Sequence, residues 1–220
     1  MKKKIITLFL ITFLLIVFLF FLFNYNFTKE KKELPILGSK YIVKKKINGN
    51  TIEETIYHTI DNFNFKDQYG KIVNKKKLKN KIYVADFFFT NCPTICPIMT
   101  TQMLRVYHAY KNNPNFKIIS HSIDPFYDKI EILKNYAESI GVKNNNTWHF
   151  ITGNKEKIYE IAQKSYFIST LEDKTVPGGI IHGGAFILVD NKFRIRGFYD
   201  GTKQFQVDNL IKDILILINK

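Results

Sequence analysis

Eight consecutive residues, Ile82-Tyr83-Val84-Ala85-Asp86-Phe87-Phe88-Phe89, carry a single charge, that of Asp86. A strand with one wet face alternates apolar and polar residues. A run apolar at almost every position suits a strand covered on both faces, at the centre of a sheet with helices on either side. The segments around it agree. Ile98 to Lys111 reads as a helix stopped near Asn112-Asn113-Pro114, and Phe116 to Ile123 as a strand ended by Asp124-Pro125. Asp128 to Ser139 is helical in pattern, with Gly141 just past its end. Trp148 to Thr152 reads as a strand, and Asn154 as the cap of a helix over 155–164. Ala185 to Val189, a turn at Asp190-Asn191-Lys192, and Phe193 to Tyr199 predict a hairpin. Val207, Leu210, Ile211, Ile214, Leu215 and Ile218 make one apolar stripe on a last helix. Upstream, Thr55–Ile60, Phe63–Phe65 and Lys71–Val73 read as short strands. The fold class is α/β, a mixed sheet flanked by helices. In such sheets chemistry collects where strand ends meet helix starts.

The N-terminal part is of another kind. Lys2-Lys3-Lys4 precedes Ile5–Phe23, an uncharged stretch close to the ~20 residues that cross a bilayer as a helix. It exceeds the apolar core of a cleaved signal peptide, and no small-x-small pattern follows. The expected organisation is cytoplasmic lysines and one transmembrane signal anchor over 1–23, a lysine-rich linker over 24–50, and a domain over 51–220. Lysines on the cytoplasmic side put that domain on the extracytoplasmic, periplasmic side of the cell membrane. There, thiols tend to oxidise unless kept reduced. The net charge of +14 comes almost wholly from lysine, with arginine only at positions 105, 194 and 196. Without arginine forks or a nucleic-acid motif, no nucleic-acid partner is expected. No phosphate-binding glycine loop, paired-carboxylate signature or serine-nucleophile motif is present, so hydrolase and nucleotide-binding readings have no residues to carry them.

The two cysteines of the chain, Cys92 and Cys96, follow the apolar run directly, and each precedes a proline in Cys92-Pro93-Thr94-Ile95-Cys96-Pro97. Such a pair can close a disulfide, hold a soft metal ion, or alternate between the two. Proline disfavours helical geometry in the residue before it and is welcome as a first helical residue. Cys96 is therefore expected at the cap of a helix opened by Pro97. Helix N–H groups would then face the sulfurs and favour thiolate.

Ala85-Asp86-Phe87-Phe88-Phe89-Thr90-Asn91-Cys92-Pro93-Thr94-Ile95-Cys96-Pro97 resembles the signature of the Sco/SenC family, membrane-anchored, thioredoxin-like copper proteins linked to cytochrome c oxidase assembly. Ser122-Ile123-Asp124-Pro125 resembles a second family segment. Gly179-Ile180-Ile181-His182 resembles the third, which carries the copper histidine; this chain continues with Gly183-Gly184 where many relatives have serine. The resemblance implies a thioredoxin-like domain and a copper site of Cys92, Cys96 and His182. It also implies a reversible Cys92–Cys96 disulfide and a copper-receiving oxidase subunit as partner. Two thiolates and an imidazole suit Cu(I), and Cu(II) with an added ligand; structural zinc would ask for a fourth donor. The competing reading is a thiol–disulfide oxidoreductase in which Cys92 attacks and Cys96 resolves, acting on cysteines of the receiving subunit. It does not need His182. A thioredoxin-type reductase would more often show Cys-x-x-Cys and a proline directly before the late strand, and Pro177 stands several residues too early. A third reading is a copper or redox sensor.

Two carboxylates are candidates to stand behind the site. Asp86 lies six residues before Cys92, the spacing of the buried aspartate in thioredoxins, and Asp124 lies beside Pro125. His121 and His149 are expected to be structural, and Met99 and Met103 to be core. His58 and His108 carry no signal.

Overall fold

The computed structural model describes residues 2–27, 33–47, 50–143, 146–168, 170–172, 180–182 and 184–219. They form two compact units, Met1–Glu33 and Leu34–Lys220. The first is helix α1, Lys2–Phe27. Its side chains are described at residues 6 and 9–21, nearly all apolar and all exposed. Among the described residues, no helix is long and apolar enough to cross a membrane.

In the second unit the elements are β1 (Lys40–Ile47), β2 (Asn50–Tyr57), β3 (Asn64–Asp67), β4 (Ile72–Asn74), β5 (Ile82–Phe88), α2 (Cys96–Tyr110), β6 (Phe116–Ser122) and α3 (Ile130–Ser139). They continue with β7 (Trp148–Thr152), α4 (Lys155–Lys164), β8 (Thr170–Glu172), β9 (Ile180–His182), β10 (Ala185–Val189), β11 (Ile195–Asp200) and α5 (Gln204–Ile218). Seven strands make one sheet in the order β11-β10-β5-β6-β7-β3-β4. The β5, β6 and β7 strands run parallel, and the others join antiparallel. As the apolar run requires, β5 is internal and buried along its whole length.

The pleat assigns each residue of β5 to a face. Asp86 and Phe88 point to the side of α2 and α3: Phe88 packs on Tyr136 of α3 and on Phe150, and Trp148 packs on Tyr107 of α2. Tyr83 and Phe87 point to the opposite side, toward Tyr166 at the end of α4. Helices therefore cover both faces. Helix α4 starts where Asn154 accepts the Lys157 N–H at 2.9 Å, and the chain leaves α3 through Gly141 at φ +82°, a conformation glycine adopts without strain. Helix α5 buries Val207, Leu210, Ile214 and Leu217, worth roughly 1.5–3 kcal/mol each. The expected stripe is thus rotated slightly, since Leu215 is half-exposed.

The stretch read as a linker holds more structure than expected. Leu34 is buried, and the Leu37 N–H donates to the Ile195 carbonyl on β11 at 2.8 Å. Buried Arg196 donates to the Leu34 and Pro35 carbonyls and to Asp190, clamping this entry segment. β1 then pairs with β2 as a separate antiparallel hairpin, with Tyr41 opposite Ile56 and Lys45 opposite Ile52. The Asn48-Gly49 dipeptide between them is the hairpin signal that points to it; lysine richness masks it.

Candidate metal centre

The β5 strand delivers the dithiol. After Phe88 the chain turns through Thr90-Asn91, with Cys92 N–H donating to the Phe89 carbonyl at 3.3 Å, and enters α2 at Cys96. Ile95 holds the cap position without a side-chain cap, and Pro97 is the second helical residue. Cys96 is therefore inside the first turn rather than at its cap. Pro97 lacks an N–H only where the helix has no acceptor for one. Both cysteines are in the thiol form, both are buried, and both line a cleft of about 300 Å3 between α2 and α3. Thr90, Thr100, Thr101 and Tyr136 complete its polar lining, and the Thr100 and Tyr136 hydroxyls are hydrogen-bonded at 2.6 Å.

The two sulfurs differ. Burial pushes the Cys92 thiol up, but hydrogen bonds with Thr94 and Cys96 outweigh it and hold its pKa below the ordinary thiol value. The Thr94 hydroxyl lies 3.6 Å from the Cys92 sulfur. Burial pushes the Cys96 thiol far up; a hydrogen bond with the Phe89 backbone opposes this, and the Cys92 sulfur and Asp86 add to it. The expectation that the helix terminus favours thiolate thus fails for Cys96, because desolvation exceeds what the terminus supplies.

Asp86 is buried on the α2 side of the sheet. Burial raises its pKa to about 7, against the pull of a hydrogen bond from the Ser120 hydroxyl. Ser120 in turn accepts from the Trp148 indole N–H at 2.8 Å. Asp86 is therefore a carboxyl poised between its two forms near neutral pH, electrostatically coupled to Cys96.

His182 ends β9, which pairs with β8 so that His182 faces Thr170. Its side chain lies outside the described residues, as do Pro177, Gly178, Gly179 and Gly183. Two residues on, Gly184 packs on the first turn of α2: a Cβ there would stand 3.6 Å from Ile95 Cδ1 and 3.8 Å from Met99 Sδ. Gly184, the first described residue after the histidine, therefore sits beside the turn that carries Cys96. Among the described residues, no three metal-ligating side chains cluster.

The remaining candidates separate cleanly. His121 stacks on Phe87 with centroids 4.7 Å apart, on the sheet face away from α2. Burial lowers its pKa to about 4, and its Nε2 has no hydrogen-bond partner among the described residues. His149 lies on the same face, bonded to Asp67 at 3.0 Å. Met99 and Met103 are core. Asp124 builds the turn after β6, accepting the Tyr127 and Asp128 N–H groups on its carbonyl. The carboxylate that reaches the cysteine loop is Asp128, which accepts from Thr90 and Ser122. Only the fold brings positions 90, 122 and 128 together, so no spacing in the sequence announces it.

A family model described as SCO1/SenC matches residues 53–219. The SCO1 protein homolog of Bacillus subtilis (strain 168) is 34% identical over 168 residues, 76% of this chain and 86% of that protein. BsSco, a member of the Sco family of cytochrome c oxidase assembly proteins in which a disulfide switch is identified, is a structural match. Its TM-score is 0.64 at 33% identity, over 73% of this chain and 93% of that one. ScoI of Bradyrhizobium japonicum, solved with copper bound, shares the fold at TM-score 0.58 and 24% identity, over 71% of this chain and 99% of that one. The thioredoxin-like α/β fold with a mixed sheet and flanking helices is borne out.

Proposed function

The chain belongs to the SCO1/SenC family, and from that membership we propose that it carries copper as cargo and delivers it to the copper-receiving subunit of cytochrome c oxidase during assembly. Cys92, Cys96 and His182 hold the ion. The observation that carries the reading is the pair of buried thiols on one cleft at the β5–α2 junction, with Gly184, two residues after His182, beside the same turn. Two thiolates and an imidazole are a soft set of low coordination number that suits Cu(I), and Cu(II) with a further ligand. A site with few donors also lets an incoming donor displace them one at a time. Loading displaces the thiol protons, Cys96 giving up the more tightly held one. In a strain lacking the gene, the oxidase is expected to lose copper, and the parent chain restores it. Normal oxidase copper in that strain would overturn the delivery reading and favour a sensor.

The contrast between the two sulfurs supports a second use of the same pair. A Cys92 with lowered pKa suits attack on a disulfide, and Cys96, protonated in the dithiol, resolves the mixed disulfide as it gives up its proton. The two thiols would give two electrons and two protons to a partner disulfide and close Cys92–Cys96. Cys92→Ser then abolishes exchange while His182→Ala spares it; equal loss in both argues against this use.

We propose that residues 5–23 of the full sequence serve as the anchor, crossing the cell membrane once with the preceding lysines in the cytoplasm and the domain outside. The uncharged run 5–23 supports this: at 1.5 Å per residue it spans roughly 28 Å, against a hydrocarbon core of about 30 Å. The chain should stay with membranes through alkaline carbonate extraction, and protease added outside should remove the domain. Release by carbonate would overturn the anchor.

A further inference from the structure

We propose that Asp128 is a positioning residue for the dithiol, holding the loop that carries Cys92 from behind; this rests on the reading of Cys92 and Cys96 as the working pair. Its carboxylate is fully buried, and three donors converge on it. The Thr90 N–H lies 3.2 Å from Oδ2, and the Thr90 and Ser122 hydroxyls also donate. Thr90 stands two residues before Cys92, so its backbone and its side chain are both taken by one carboxylate. Ser122 ends β6, opposite Phe88 at the end of β5. Asp128 itself is fixed at the entry to α3, its N–H donating to the Asp124 carbonyl at 2.9 Å. One side chain thus joins the cysteine loop, the end of the neighbouring central strand and the start of the next helix.

The chemistry argues for more than a turn. An Asx turn needs no burial, whereas a carboxylate taken out of water costs several kcal/mol unless its lone pairs are filled. The charged group facing it is Asp124, which adds repulsion; burial and that repulsion push its pKa up, and the bonds from Ser122 and Thr90 hold it down. The carboxylate is kept at that cost where it fixes geometry. Groups that orient metal ligands from behind typically change affinity 10–100-fold when removed.

The test uses the full-length chain in detergent, with the variants Asp128→Asn, Thr90→Val and Thr90→Ser. Asparagine keeps the size but turns an amide donor toward donors. Valine removes one hydroxyl, and serine keeps both donors. Cu(I) affinity is read by competition with a colorimetric chelator. The dithiol–disulfide equilibrium is read in glutathione buffer, where one oxidised glutathione and the dithiol give the Cys92–Cys96 disulfide and two reduced glutathiones. Asp128→Asn and Thr90→Val are expected to weaken Cu(I) binding about tenfold. Because the network is made in the dithiol form, both should also move the equilibrium toward disulfide, by about tenfold, or about 30 mV for two electrons. Thr90→Ser should stay within about twofold of the parent in both. The proposal is overturned if Thr90→Val and Asp128→Asn lower Tm yet leave both quantities within about twofold, or if Thr90→Ser behaves as Thr90→Val does. Should Asp128→Asn not fold, Thr90→Val against Thr90→Ser decides. A parent chain that binds no Cu(I) sinks the copper reading alone, since the glutathione arm still judges Asp128.

Discussion

Replacing Asp86 by asparagine should change the pH dependence of stability more than the stability itself. In the folded chain burial raises the Asp86 pKa from its usual 3.8 to about 7. Between those values the folded state holds a proton that the unfolded chain has released, so stability falls as pH rises. The contribution is fully present below 3.8 and fully lost above about 7. One pKa unit corresponds to about 1.4 kcal/mol, so the whole loss is about 4 kcal/mol, of which about 2–3 kcal/mol falls between pH 5 and 8. Asparagine has the shape of the neutral carboxyl, keeps an oxygen for the Ser120 hydroxyl, and does not titrate. Urea unfolding of the reduced chain, followed by Trp148 fluorescence at pH 5 and pH 8, isolates the effect because other titrating groups are common to both proteins. The stability of Asp86→Asn relative to the parent should rise by about 2–3 kcal/mol from pH 5 to pH 8. Parallel curves would refute the buried, proton-holding Asp86.

Limited alkylation of the folded, reduced chain should modify Cys92 well before Cys96, as read by peptide mass spectrometry; equal labelling would contradict the assigned difference between the thiols. Loading must displace the Cys96 proton, and the Cys92 proton wherever it is held, so Cu(I) affinity should rise at least about tenfold per pH unit between pH 6 and 8; a flat profile in competition titrations would contradict this. Arg196→Met leaves the Leu34 and Pro35 carbonyls without their donor and takes one guanidinium from Asp190. It should cost about 3 kcal/mol in urea unfolding, and a loss under about 1 kcal/mol would show that the clamp does little.

The sheet and its order of helices were legible because β5 is apolar at nearly every position and Trp148–Thr152, 155–164 and Ala185–Val189 carry clean local signals. The location of the dithiol followed from the same pattern. The β1–β2 hairpin was hidden because lysine makes up half of β1, although Asn48-Gly49 in the sequence is a hairpin signal. The protonation of Cys96 was misjudged because sequence shows a helix start but not how deeply that start is covered. Asp128 was read only as the start of a helical pattern and Asp124 as the candidate carboxylate; the contact of Asp128 with Thr90 across 38 positions, which only the fold creates, reverses that choice.

A Cu(I) titration of the reduced full-length chain, beside Cys92→Ser, Cys96→Ser and His182→Ala, tests the central claim most directly. The parent should bind about one Cu(I) per chain, in keeping with a three-donor soft site. Each substitution should weaken binding strongly while circular dichroism shows an intact fold. Cu(I) affinity unchanged in His182→Ala would contradict the three-donor site and leave a dithiol whose work is exchange.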